Sequence, residues 1–224
     1  MQAGAASESR GSSAQRRIAR ACSFGAMLLG IAGLAGWWFG LPFLTRIVAG
    51  YKPIAPSVAV CFVVLGLILL RLAVGHASAR ARVFMAAVVG LISLLGLLEF
   101  VAFAVGADLN LEDALTAYLA RVSSIPLETM SPVAGALLFL IGAARLAVLV
   151  GPMAYPSRGR FGDAAGVLGL VAAIVAAIFS LGYLYGAPLL YGGPAIPIAA
   201  TATVGALLLA VGTVAAAGRA HWPL

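Results

Sequence analysis

The chain has 224 residues, of which 63% are hydrophobic and only 9% charged, and its mean hydropathy is +1.09. Soluble domains carry about 25% charged residues, so this composition excludes a water-solvated globule and makes lipid the solvent for most of the chain. The formal charge of +7 is spread as small groups between apolar runs. It lacks the dense basic stripe with interleaved aromatics of a nucleic-acid surface, and nucleic acid is excluded as a partner.

Residues 1–21 are rich in Gly, Ala, Ser and Arg and lack hydrophobic periodicity, which reads as a disordered, basic cytoplasmic tail. The first apolar run extends from Cys22 to about Phe39. Arg16, Arg17 and Arg20 precede it like the basic region of a signal peptide, but it ends in Trp37-Trp38-Phe39 where a signal peptidase needs small residues. An uncleaved helix is the better reading.

Five further runs are long enough for a hydrocarbon core, which takes roughly 20 residues. They are Ile54–Ala73, Val83–Val105, Ser131–Val150, Ala164–Tyr185 and Ile196–Ala217. Arg71 and Arg145 fall near one end of the second and fourth runs of the chain, where a long side chain is expected to snorkel to the headgroups. The domain plan is therefore a tail (1–21), a six-helix membrane domain (22–218) and a short cytoplasmic stub (219–224). Cys22 and Cys61 lie in separate apolar runs and read as small buried hydrophobes.

Orientation follows from the basic residues. With a cytoplasmic N-terminus, eleven of the fourteen lie inside, leaving only Arg46, Lys52 and Arg121 outside. The acids partition oppositely: Asp108, Glu112, Asp113 and Glu128 are outside, with Glu99 nearby. The expectation is a multi-pass membrane protein with both termini in the cytoplasm. Trp37, Trp38, Tyr51, Tyr183, Tyr185 and Tyr191 fall at outer boundaries, and Tyr155 and Trp222 at inner ones. Interfacial anchoring is the simplest role for Trp37, Trp38, Tyr51, Tyr191 and Trp222.

The outer connection 106–130 is the longest. Leu111, Leu115, Tyr118, Leu119 and Val122 recur in it at helical spacing, Asn110 can cap the start, and Glu112 and Asp113 sit in the first turn. These predict a short amphipathic helix on the outer leaflet.

One pattern occurs three times: a helix running outward, a Gly-rich exit, a loop, and a helix returning inward. The exits are GLP at Gly40–Pro42, GAD at Gly106–Asp108 and GAP at Gly186–Pro188. Return helices begin PSVAVCFVVLGL at Pro56, PVAGALLFLIGA at Pro132 and AATATVGALLLA at Ala199. A glycine follows the proline by ten residues in the first two, Gly66 and Gly142. Proline suits a first helical turn, and glycine lets membrane helices approach closely. The predicted fold is an all-α polytopic bundle of six transmembrane helices arranged as three repeated hairpins, with a pseudo-threefold arrangement in space.

The fragments APSVAVCFVVLGLILL, LLGLLEFVAFAVGADLNLEDAL, SPVAGALLFLIGAARL and SLGYLYGAPLLYGGPAIPIAATATVGALLLAVG carry a resemblance. Together they resemble the multi-pass membrane region at the N-terminus of many bacterial sensor histidine kinases and diguanylate cyclases, which usually precedes PAS or GAF domains. The resemblance spans about Ser23 to Ala217. Val58, Ala134 and Thr201 occupy the family's usual threonine place in the return helices, so only the third repeat keeps it. It implies a sensory input module in a two-component or cyclase signalling protein, with a possible output domain in the same polypeptide and a homodimeric assembly. A structural or accessory subunit of a larger membrane complex is the alternative, and a small-molecule transporter a weaker one.

Chemistry is sparse. The two histidines, His76 and His221, fall in cytoplasmic segments, so neither a haem nor a metal site within the bundle is expected. With no candidate nucleophile–base set and no phosphate loop, neither enzyme activity nor a cofactor is expected. Glu99 is the one carboxylate placed inside a span, about two turns from the outer end of its helix. A ligand site on the outer half would combine Glu99 with Tyr183, Tyr185 and Thr201; in the alternative, Glu99 bonds a neighbouring helix or interfacial water.

Overall fold

A computed structural model describes residues 2–46, 50–75, 77–107, 129–154, 158–190 and 196–217, with side chains from Ser13 onward and outside 152–160. Within these residues there are helices and turns and no strand. The helices are α1 (Gln2–Trp38), α2 (Pro42–Thr45), α3 (Pro56–Val74), α4 (Ala79–Val105), α5 (Pro132–Ala154), α6 (Arg158–Leu184) and α7 (Ala200–Ala217). All but α2 are long and apolar enough to cross a membrane. The chain is a multi-pass membrane helix bundle.

The helices pair as the sequence repeat orders them. α1 packs chiefly on α3, α4 on α5 and α6 on α7, giving three hairpins. The hairpins meet through α1 on α7, α6 on α5, and α7 against both α3 and α5. Return helices form the inside: 44%, 50% and 67% of the apolar spans of α3, α5 and α7 are buried, against 33%, 28% and 28% for α1, α4 and α6. Lipid therefore faces mainly the first helix of each hairpin, which explains exposed Leu28, Leu94 and Ile174.

Each first helix ends the same way. Gly40, Gly106 and Gly186 have φ of 64°, 69° and 68°, the left-handed conformation that glycine adopts without a Cβ penalty. The residue after each donates its N–H to a carbonyl five residues back: Leu41 to Gly36 O at 2.8 Å, Ala107 to Ala102 O at 2.9 Å, and Ala187 to Gly182 O at 2.9 Å. This is the Schellman closure, which satisfies an otherwise orphaned carbonyl and turns the chain out of the helix. Three sequence exits thus become one backbone device used three times. The end of the bundle that holds them is called the turn end below, and the other the terminal end.

Return helices start with proline at the first turn in α3 and α5. At α5, Ser131 Oγ accepts from Ala134 N at 3.2 Å, the N-cap bond that its hydroxyl is suited to make. The repeated glycines sit where the hairpin helices cross. A methyl on Gly66 would lie 2.5 Å from Met27 Cγ and 3.1 Å from Ser23 O of α1, and one on Gly142 would lie 2.7 Å from Ser93 Cβ of α4. In α7 the corresponding residue is Leu209, whose side chain is fully buried.

Two expectations are revised. The helix of α1 extends back to Gln2, through the stretch read as a disordered tail, and Ala19 is fully buried beside Leu69, Ala73 and Ala216. Compositional arguments price each segment alone, whereas a tail joined to an apolar helix extends it without a new nucleation step. The second concerns Arg145 and is described below. The expected amphipathic helix at 111–122 lies outside the described residues.

Candidate functional site

Arg145 is fully buried, although it was expected to snorkel. It lies nine positions before Ala154 at the end of α5, about 13 Å of helix rise, and its side chain points into the bundle instead of along it. Nε donates to Thr213 Oγ1 at 3.0 Å, Nη1 donates to Leu65 O, and Nη2 lies 3.4 Å from Leu209 O. The guanidinium therefore joins α5 to α3 and to α7, one return helix from each hairpin. Thr213 Oγ1 itself donates to Leu209 O at 2.6 Å, which fixes its lone pairs toward the arginine.

All three acceptors are neutral oxygens. A buried ion needs its hydrogen-bond capacity met by fixed dipoles when no counter-charge accompanies it, and two backbone carbonyls plus a hydroxyl supply that here. Planarity matters as well as charge: the guanidinium presents donors in a rigid fork, which lets a single side chain reach three helices at once. The small residues around it make the space. A methyl on Gly212 would meet Leu69 Cδ2 at 2.5 Å and Cys22 Cβ at 2.9 Å, so α7 lies tight against α1 and α3 at this depth.

The turn end holds a second set of polar contacts. Trp37 is only 3% exposed, and its Nε1 donates to Ile54 O at 2.7 Å. Tyr183 OH donates to Ile198 O. Both acceptors lie just before a return helix, so the last turn of a hairpin's first helix holds the entry to its second. Trp37 is thus an internal latch in place of the anchor expected of it. Tyr51 stacks edge-on against Tyr183, ring centroids 4.9 Å apart at 68°. Trp38 is 64% exposed at the end of α1, and Tyr191 and Trp222 lie outside the described residues.

The four residues expected to share a ligand site are distributed as follows. Tyr183 and Thr201 lie on the hairpin 1–hairpin 3 side of the turn end, with Thr201 buried and its Oγ1 3.5 Å from Thr45 O. Tyr185 is 80% exposed. Glu99 is half-buried on α4 and lies against α5, where a methyl on Gly135 would be 3.3 Å from Glu99 Cβ. A narrow cleft does open at the turn end between the hairpins. It is lined by Lys52, Val58, Thr129, Ser131, Pro197 and Ala202, among others, and by none of those four residues. Beneath it lies an apolar crevice bounded by Val58, Phe62, Ala134, Leu137, Leu138 and Ala206. Neither space admits more than a water-sized group in this conformation.

Reading the sequence missed the arginine because its position along the helix suggested an end, and missed Trp37 because tryptophans at span boundaries usually face headgroups. One signal was present: Thr213 is a hydroxyl in the last apolar run, a residue type that bonds across membrane helices. Among the described residues no group of three or more metal-ligating side chains occurs. No protein-family model, curated protein or solved structure matches the chain.

Proposed function

We propose that this bundle is a membrane-embedded sensory input module of a bacterial signalling protein, set in the inner membrane with both termini cytoplasmic. The carrying observation is the position of α7. It is the most buried helix and runs toward the terminal end. Through Thr213 and Leu209 it shares one guanidinium with the other two hairpins. A change in hairpin packing would thereby reach α7, the last described helix, which in this reading continues toward an output domain. The sequence resemblance to the membrane regions of sensor kinases and cyclases supports the same reading.

The test uses the reading frame beyond Leu224 and the full polypeptide it encodes. The expected result is a kinase or cyclase domain, functioning as a homodimer, whose response to stimulus is lost when residues 22–217 are deleted. A response unchanged by that deletion rejects the proposal. One observation favours an accessory subunit instead: Gly90 on α4 has open space beside it, room for a helix of another chain to approach. Co-purification of a stoichiometric membrane partner from native membranes would support that second reading.

A further inference from the structure

The three hairpins meet along three seams that are not alike. α1 lies along α7, and α6 along α5, but α3 and α4 barely touch. Connection length does not explain the difference, because residues 75–78 join α3 to α4 and residues 155–157 join α5 to α6, both short links. Glycine does. At the first seam a methyl on Gly25 would lie 2.9 Å from Leu208 Cδ1, and one on Gly212 would lie 2.9 Å from Cys22 Cβ. At the second, a methyl on Gly151 would lie 2.8 Å from Phe161 Cβ. Membrane helices approach closely where small residues let their backbones meet.

Neither α3 nor α4 offers the other such a place. The one glycine of α3, Gly66, faces Met27 and Ser23 of α1. On α4, Gly96 faces α5, and a methyl on Gly90 would meet nothing within 4 Å. Leu91 of α4 stands where α1 has Gly25, each fifteen residues before its left-handed glycine. α3 and α4 therefore part from their common link and leave a furrow between them on the lipid side. The faces that border it are patterned: Leu67, Arg71 and Val74 are exposed at helical spacing on α3, and Arg80, Phe84 and Leu91 on α4. Arg71 is in the last turn of α3, and Arg80 and half-buried Arg82 are in the first turn of α4, so three guanidinium groups flank one link at the terminal end. Among the described residues none of the three has a carboxylate partner. The acids whose side chains are described are Glu99, toward the turn end of α4, and Asp163 on α6.

An apolar furrow that ends in cations matches a phospholipid, whose chains suit the first and whose phosphate suits the second. We propose that the α3–α4 furrow binds a phospholipid with an anionic headgroup. Arg71, Arg80 and Arg82 hold its phosphate, and an acyl chain lies between Leu67 of α3 and Phe84 and Leu91 of α4. Guanidinium groups suit this because each can give a phosphate two parallel hydrogen bonds. α1 carries as many arginines at the same end, Arg16, Arg17 and Arg20, all exposed. They stand beside the seam that Gly25 and Gly212 close, with no furrow beneath them. The site rests on packing and charge and goes beyond the sensory reading, since it holds whatever the chain signals to.

Photo-crosslinking of the unmodified chain tests it, in phosphatidylcholine nanodiscs carrying a trace of phosphatidylglycerol with a diazirine in its acyl chain. Labelled residues, mapped by mass spectrometry, are expected to concentrate on 67–74 and 84–91. Labelling there should exceed that by a phosphatidylcholine probe of the same chain at least about fivefold, since each arginine near an anionic surface strengthens attraction roughly fivefold. Arg71→Gln/Arg80→Gln/Arg82→Gln should abolish the preference. Arg16→Gln/Arg17→Gln/Arg20→Gln, an equal loss of charge at the same end, should leave it. Equal labelling by the two probes, or an equal effect of the two triple variants, would overturn the site. So would a furrow that takes no label because a second copy or another protein's helix fills it, which native mass spectrometry would show as a larger assembly. The same measurement on the unmodified chain needs no substitution: phosphatidylglycerol should stay bound through washing that strips phosphatidylcholine. Equal retention of the two lipids counts against the proposal.

Discussion

Gly96 and Gly135 face each other across the α4–α5 crossing so closely that a methyl on the first would lie 2.5 Å from the second's carbonyl oxygen, and a methyl on the second 2.7 Å from the first's. The contact is backbone on backbone, with no side-chain end to swing aside. Hydrophobicity gives membrane helices little reason to prefer one another over lipid, so close approach supplies the attraction. Gly96→Ala should therefore separate α4 from α5 and destabilise the bundle by roughly 1–3 kcal/mol, the usual range for overpacking. Gly90→Ala, on the same helix with open space beside it, should leave stability unchanged or slightly raised. Unfolding of both variants in mixed detergent, followed by helix content, makes the comparison.

Arg145 should tolerate no replacement that loses its fork. Arg145→Lys keeps a charge but not a planar set of donors for Thr213, Leu65 and Leu209. It should destabilise the bundle by several kcal/mol, comparable to the roughly 3–5 kcal/mol seen when one member of a buried charged set is removed. Arg145→Met is expected to be the milder variant, since it leaves no buried charge to solvate. A lysine variant as stable as the native chain would show that the arginine is not held as described.

Thr213→Val removes one acceptor and preserves volume. A hydrogen bond to a charged group is worth about 1.5–3 kcal/mol, so the loss should fall in that range, and it should vanish in an Arg145→Met background. That double-mutant cycle measures whether the two residues are coupled.

Trp37→Phe and Tyr183→Phe both leave a carbonyl at the turn end without its donor. Each should cost about 1–3 kcal/mol, with faster hydrogen exchange near Ile54 in the first variant and near Ile198 in the second. Phe103→Leu, three residues before Gly106 as Trp37 and Tyr183 are before Gly40 and Gly186, should cost less because phenylalanine has no hydrogen-bond donor to lose and the residue is partly exposed.

The architecture was legible for identifiable reasons. Six apolar runs and the Gly-rich exits are one-dimensional signals, and Gly40, Gly106 and Gly186 share one left-handed backbone conformation. Gly66 and Gly142, aligned ten residues after a proline, both proved to be crossing points. What sequence could not show was facing. Arg145 and Arg71 look alike by position, yet Arg71 is exposed and Arg145 is enclosed. Glu99 lies on α4 of hairpin 2 and Tyr183 on α6 of hairpin 3, and neither lines the cleft at the turn end. Depth along a helix can be counted in residues, but which way a side chain turns depends on partners far away in the chain.

The buried guanidinium also constrains how the chain is made. Leu65 is synthesised before Arg145, but Leu209 and Thr213 follow it by 64 and 68 residues. When α5 leaves the translocon, only one of its three partners exists, and a lone arginine at the centre of a helix costs about 2.5–3.5 kcal/mol to insert. Nascent chains ending before Leu209 should thus leave α5 hesitating at the lateral exit, and arrival of the final helix should release it into the bilayer.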